Sequence, residues 1–244
     1  METFIFGIRP VLEAIKSGKE IDKLLVRHQL TGSLVGELMA EARKNNIKVQ
    51  YVPNEKIDKI SKGNNQGVVA YLSPISYQDT EDIVSSVFEA GRVPLLLILD
   101  GITDVRNFGA IARTAECLGA DAIIIPSDNS VSITEDAIKT SAGALYNIPI
   151  CKETNLVDTI LLLKQLGLFI IAANEKASDL VYDVDFTQAL AIVVGGEDKG
   201  VSTQVLRRVD KTVKIPMSGK TESLNVSVAA GMFIYEVMRQ RVKS

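Results

Sequence analysis

LLLILDGITDVRNFGAIARTAECLGADAIIIP, residues 95–126, decides how this chain folds. Leu95–Leu99 and Ala122–Ile125 are short apolar runs without polar alternation, and the text between them repeats at helical spacing over 109–118. Strands apolar on both faces and joined by a helix belong to a parallel sheet covered on two sides. The same alternation continues downstream. Further apolar runs stand at Leu168–Ala172, Leu190–Val194 and Val213–Ile215, with helix-period segments at 134–144 and 156–166. Ligands of such sheets sit beyond the carboxyl ends of the strands. The loops after Leu99, Val194 and Ile215 are therefore where chemistry is expected.

Upstream the text changes character. Val11, Leu12 and Ile15, then Leu34, Leu38 and Ala42, repeat at helical spacing. Lys23–Val26, Ile47–Tyr51 and Gly67–Leu72 read as strands, which predicts a small α/β unit with its own core. Residues 1–75 hold 11 Lys/Arg against 8 Asp/Glu, whereas residues 76–91 hold four acids and no base. That acidic stretch reads as a solvated connector, partly helical through Ile83, Val84 and Val87. The expected organisation is a first domain over 1–75, a linker over 76–91 and a second domain over 92–244.

Composition narrows the function. The 244 residues are 46% apolar with a net charge of −3, so no global basic field points to nucleic acid. No stretch has the roughly 18 apolar residues of a membrane span, and METFIFGIRP lacks a signal layout, so a soluble cytoplasmic protein is expected. Cys117 and Cys151 stand in no metal or redox spacing, and His28 is the single histidine. A disulfide scaffold, an ordinary zinc site and a Ser-His-Asp triad are excluded, and no metal is expected.

The three loops carry the unusual residues. In the first, Asn107 stands where a helix N-cap belongs, Gly109 permits close backbone approach, and Arg113 follows six residues after Asn107. Alone, this is also what a capped helix with a surface arginine looks like. In the second, IVVGGEDKGVS over 192–202, Gly195 and Gly196 let a ligand approach the main chain and Glu197 offers a carboxylate at a strand end. The spacing is not that of a dinucleotide fingerprint, and an ordinary Gly-rich turn would read the same way. The third, KIPMSGKTESLNVSVAAG over 214–231, fails the P-loop spacing because Lys214 stands where the first glycine belongs. It leads instead into a small-residue helix read from Ser223 to Ala230, thinned by Ser227, Ala229, Ala230 and Gly231.

In combination and in this order, Asn107-x-Gly109 with Arg113, Gly195-x-Glu197-x-x-Gly200, and Ile-Pro-Met with Ser-Leu-Asn-Val-Ser-Val-Ala resemble the signature blocks of the SpoU/TrmH family. That family comprises AdoMet-dependent RNA ribose 2′-O-methyltransferases of the SPOUT superfamily, and the likeness spans residues 94–241. FGIRPVLEAI and NNQGVVAYLSP also look like the ribosomal-protein-L30-like substrate-binding domain of the subgroup that methylates a guanosine of 23S rRNA. One position departs: the family usually has proline where this chain has Val105, which reads as a change of loop stiffness.

The resemblance implies a parallel-sheet SPOUT domain with a C-terminal trefoil knot and a small N-terminal L30-like α/β domain. It implies Arg113 as the catalytic arginine, with Asn107, Glu197, Ser223 and Asn225 completing the site. It places S-adenosyl-L-methionine against Gly195, Gly196, Ile215, Met217 and Leu224. It implies an RNA substrate and a homodimer, in which Met232, Phe233, Tyr235, Val237 and Met238 of the C-terminal helix are partly interface. An arginine is an awkward base because its pKa lies above about 12. Arg113 is therefore expected to clamp substrate phosphate and to stabilise the developing alkoxide.

The acidic net charge opposes an RNA substrate unless bases gather locally. The first domain's excess, with Arg106, Arg113, Lys199, Arg207, Arg208 and Lys220 near the loops, would supply that surface. Two other readings compete: a tRNA ribose methyltransferase, against which the extra N-terminal domain argues, and a non-catalytic RNA-binding ribosome-assembly factor, which has no need of the five site residues together.

Overall fold

The computed structural model describes residues 3–197, 199–221 and 223–242. The chain divides into two compact units, one running to Ser76 with the short segment Ser132–Glu135, the other holding Tyr77–Val131 and the chain from Asp136.

The first unit runs β1 (Phe4–Phe6), α1 (Ile8–Lys16), β2 (Ile21–Arg27), α2 (Ser33–Lys44), β3 (Val49–Val52), α3 (Asn54–Ile60) and β4 (Val68–Leu72). Its sheet has the order β1-β4-β2-β3, with β2 and β3 parallel and the other pairs antiparallel. Alternation sends Leu24, Val26, Val68 and Ala70 to one face, where they meet Val11, Leu12 and Ile15 of α1 and Leu38 and Ala42 of α2. Leu25 and Val69 point the other way and pack with Val52 and Ile57 of α3. Two elements escape the sequence reading. β1 is only three residues long, and α3 buries only Ile57, so neither shows a period.

The second unit runs α4 (Thr80–Glu89), β5 (Leu95–Asp100), α5 (Val105–Cys117), β6 (Ala122–Pro126), α6 (Glu135–Thr140), β7 (Ile150–Glu153), α7 (Leu156–Gln165), β8 (Phe169–Ala173), β9 (Asp179–Leu180), β10 (Leu190–Gly195), α8 (Thr203–Leu206), β11 (Lys211–Lys214) and α9 (Val226–Arg241). Its sheet, in the order β7-β6-β5-β10-β8-β11-β9, is parallel at every pairing. Leu95–Leu99 and Leu190–Val194 are buried throughout, as strands covered on both faces must be. β5 and β10 lie side by side and end level, Asp100 beside Gly195. From β5 the chain continues to β6 on one side, and from β10 to β11 on the other. This divergence is a topological switch point, where a crevice opens at the carboxyl edge.

Several expectations are corrected. The stretch 76–91 is helical through Ile83, Val84 and Val87, as expected, but it packs instead of standing in solvent: Asp79 caps α4 by accepting from the Glu81 and Asp82 amides, and Val84 sits in the core with Leu96, Ile98 and Leu168. Burying such a valine contributes roughly 1.5–3 kcal/mol, which outweighs the pull of four acids toward water. The 134–144 helix is cut short at Thr140, because Ala142 (φ 51°) and Gly143 (φ 85°) turn left-handed before a single 3-10 turn at Ala144–Tyr146. The last apolar run becomes a strand at Lys211–Lys214, before Ile215. The short edge strands β7 and β9 had no signal strong enough to read.

Candidate active site

The loop after β5 leads into α5 through Asp104, whose carboxylate accepts from the Arg106 amide (2.9 Å) and the Asn107 amide (2.8 Å). Asp104, not Asn107, is therefore the N-cap, and Asn107 lies in the first helical turn. The difference matters chemically. A capping asparagine would spend its side chain on the backbone, whereas here Asn107 keeps both ends of its amide for other partners. Val105, at the position of the family's proline, is the first helical residue, where proline is favoured for its fixed φ rather than for any side-chain chemistry.

The loop after β10 is a tight turn. The Gly200 amide donates to the Gly196 carbonyl (2.8 Å), and the Gly196 amide to the Asp100 carbonyl (3.0 Å). A Cβ on Gly195 would overlap the Gly200–Val201 backbone, and one on Gly196 would lie 2.6 Å from the Gly101 carbonyl oxygen. These glycines are needed so that the protein's own backbone can close. Gly109 follows the same rule: a Cβ there would sit 2.7 Å from that of Thr140.

The third loop ends at Asn225, the N-cap of α9, whose Oδ1 accepts from the Ser227 amide (3.0 Å) and hydroxyl (2.5 Å). The helix therefore starts at Val226 rather than at Ser223, and Ser223 and Leu224 belong to the loop. With Oδ1 committed, the Asn225 Nδ2 group faces the other loops. It donates to Glu197 Oε1 (2.7 Å) and to Asn107 Oδ1 (2.9 Å), while Asn107 Nδ2 donates to the same Glu197 oxygen (3.1 Å). One side chain from each of the three loops thus meets in a closed triangle. Two amides hold Glu197 Oε1 as an acceptor, and Oε2 has no hydrogen bond among the described residues.

The other expected site residues stand as follows. Arg113 is an exposed residue of α5 whose side chain makes no hydrogen bond or ion pair among the described residues. It lies about 9 Å along the axis from Asn107. Its neighbour Thr114 faces α9, where a Cβ on Gly231 would touch it at 3.4 Å, so the small residues of α9 do let the two helices pack closely. Ser223 is exposed and outside the triangle. Gly195 ends β10, Ile215 follows β11, and Met217 and Leu224 expose 43% and 38% of their surface beside the triangle's third loop. Among the described residues, 215–221, Ser223 and Leu224 make no main-chain hydrogen bond. Free main-chain donors and acceptors beside exposed apolar side chains are what an amphipathic ligand needs. Asp100 and Ser227 were missed: an acid ending a strand and a serine in a small-residue helix carry no spacing signal. Among the described residues, no group of three or more His, Cys, Asp or Glu is placed to hold a metal, and no helix is long and apolar enough to cross a membrane.

Comparison with known proteins places this parallel sheet and its three-loop site. Residues 94–235 match the SpoU rRNA methylase family, and residues 4–78 match the RNA 2′-O ribose methyltransferase substrate-binding family. The chain belongs to the SpoU/TrmH family of RNA methyltransferases. A TrmH family tRNA/rRNA methyltransferase of Staphylococcus saprophyticus is 40% identical over 240 residues, covering 98% of this chain and 96% of the relative. Among solved structures, the SpoU methyltransferase AviRb from Streptomyces viridochromogenes, in complex with AdoMet, is similar with a TM-score of 0.62 and 25% identity over 100% of this chain and 92% of that one. The TrmH/SpoU tRNA modifying enzyme of A. aeolicus is 31% identical with a TM-score of 0.56, over 67% of this chain and 84% of its own.

Proposed function

We propose that this protein transfers the methyl group of S-adenosyl-L-methionine to the ribose 2′-hydroxyl of a guanosine in 23S rRNA, in the cytoplasm and as a homodimer. The observation that carries this reading is the Asn107–Glu197–Asn225 triangle, which joins three loops at the switch point of the sheet. AdoMet supplies an electrophilic methyl on a sulfonium. Gly195, Gly196, Ile215, Met217 and Leu224 would hold it, the main chain of 215–224 meeting its polar groups and the exposed Met217 and Leu224 its apolar ones.

Ribose methylation is an in-line displacement: the 2′-oxygen would bond the methyl carbon as its bond to sulfur breaks, S-adenosylhomocysteine would leave, and the hydroxyl proton would pass to the adjacent substrate phosphate or a nearby group. Alignment of oxygen with carbon lowers the barrier by several kcal/mol. The triangle fixes Glu197, and Arg113, Ser223 and Asn225 complete the reaction edge. Arg113, exposed and uncommitted among the described residues, suits a bidentate clamp on the phosphate beside the reacting ribose, from which it also stabilises the developing alkoxide. The match of residues 4–78 to a substrate-binding family supports the first unit as the RNA-recruiting, L30-like domain. It also favours rRNA over tRNA, since the A. aeolicus tRNA enzyme covers only 67% of this chain. A homodimer is supported by α9, where Met232, Tyr235 and Met238 of the expected interface, with Val228, leave an apolar stripe exposed, whereas Phe233 and Val237 are buried in the core and cannot belong to it. The family's trefoil knot belongs to the same reading.

The test is transfer of labelled methyl from AdoMet to purified 23S rRNA and to bulk tRNA, followed by mapping of ribose methylation. Label in a single 23S guanosine bears out the proposal, and label in tRNA alone transfers it to the tRNA reading. An absence of binding heat with AdoMet at high micromolar concentration would favour a non-catalytic factor.

A further inference from the structure

Glu197 stands on a turn whose two ends are held by one residue. The Asp100 carbonyl accepts from the Gly196 amide (3.0 Å), just before Glu197, and the Asp100 carboxylate Oδ2 accepts from the Ser202 amide (2.7 Å), just after the turn. Inside the turn, Gly200 closes on Gly196. Asp100 is also the last residue of β5, so the segment that leaves it leads directly to Asp104 and Asn107. One strand end thus sets the origin of the loop bearing Asn107 and both ends of the loop bearing Glu197. Those two side chains then meet at 3.1 Å.

We infer that Asp100 is a positioning residue for the methyl-transfer reaction, acting through Glu197: its carboxylate sets the height of the 196–202 turn, and so where Glu197 meets Asn107 and Asn225. This rests on the function proposed above. A hydrogen bond to a charged acceptor is stronger than one to a neutral group, which suits a carboxylate used as an anchor. The Ser202 hydroxyl does not share the task among the described residues, being buried without a hydrogen-bond partner. Without Asp100 the Ser202 amide also loses its acceptor, and the turn relaxes outward to recover one from water. A misplacement near 1 Å at a reacting centre costs on the order of a hundredfold in rate.

The experiment is a double-mutant cycle on the full chain, joined to proteolysis. Asp100→Ala should lower kcat about thirtyfold in the wild-type background and hardly at all on the residual activity of Glu197→Gln, because a group that acts through Glu197 has nothing left to position. Asp100→Asn keeps an acceptor of the same shape and should restore most of the rate. Ser202→Pro, which removes the donor at a residue whose φ of −61° suits proline, should reproduce the loss if Asp100→Ala does not fold. Lys199, exposed on the turn, gives a readout independent of any activity: trypsin should cut after it at least tenfold faster in Asp100→Ala and in Ser202→Pro. An equal loss of rate in the wild-type and Glu197→Gln backgrounds would overturn the inference, as would unchanged cleavage at Lys199. If the wild-type protein methylates no RNA, the functional reading falls, and the cleavage result alone decides whether Asp100 holds the turn.

Discussion

Asn107 and Asn225 are 118 residues apart in the chain, yet the second donates to the first at 2.9 Å. Each stands at the start of a helix, α5 and α9, and those helices pack on one another. The bond therefore fixes two helix ends against each other at the edge where β5 and β10 diverge. Glu197, reached by both amides, is the third member.

Asn225 has two duties that can be separated. Ser is as good an N-cap as Asn but too short to reach Glu197 and Asn107. Asn225→Ser should therefore keep stability within about 0.5 kcal/mol while methyl transfer falls by roughly 10- to 100-fold, whereas Asn225→Ala should lose the activity and about 1 kcal/mol besides. Thermal unfolding and turnover on the same preparations separate the two. A fully active Asn225→Ser would remove the triangle from the mechanism.

Arg113 has no partner among the described residues that would make it structural. Arg113→Lys keeps the charge and loses the planar fork, so turnover should drop about a hundredfold while the melting temperature stays unchanged to within about 0.5 kcal/mol of stability. Wild-type turnover in the lysine variant would exclude the bidentate clamp.

Val105 occupies a position built for proline. It is the first residue of α5, and the preceding Asp104 already has the extended conformation (φ −77°, ψ 123°) that a following proline demands. Val105→Pro should stabilise the fold by about 0.4–1 kcal/mol by restricting the unfolded chain, with activity retained. A lower denaturation midpoint would mean that the Val105 side chain or amide does more than its place suggests.

The two cysteines should behave differently. Burial pushes the Cys151 thiol up from 9.0 to about 11, with its hydrogen bond to Thr80 opposing the rise, whereas Cys117 is exposed. A thiol reagent at pH 8 should modify one group in the native protein and two after unfolding. The sign for stability follows. Below pH 9 both states carry the Cys151 proton; above it the unfolded chain ionises while the folded one resists up to about 11, so stability falls through that interval. Cys151→Ala should flatten that part of the alkaline limb, as followed by denaturant midpoint against pH.

Much of the second unit was legible because burial on both faces leaves an unmistakable mark: Leu95–Leu99 and Leu190–Val194 have no polar residue to blur them. The loops to inspect followed from strand ends alone, and three of the expected residues, Asn107, Glu197 and Asn225, come together there. What escaped depends on geometry that spacing does not encode. Asn107 and Asp104 are both good caps three residues apart, so spacing alone does not tell that Asp104 takes the cap. The acids of 76–91 spoke for solvent, while Val84 and Val87 on the opposite side of α4 held it down. Asp100 looked like the polar end of a strand because its partner, Ser202, lies 102 residues away.

Arg241 donates to the carbonyls of Val93, Pro94, Phe186 and Gln188, and Gln240 to that of Val184, while Asn225 begins the same helix inside the triangle. The helix is thus held at both ends, by these carbonyls and by the Asn107–Glu197–Asn225 triangle. Replacing Arg241 would release the carbonyls it holds at one end of a helix whose other end is capped by Asn225.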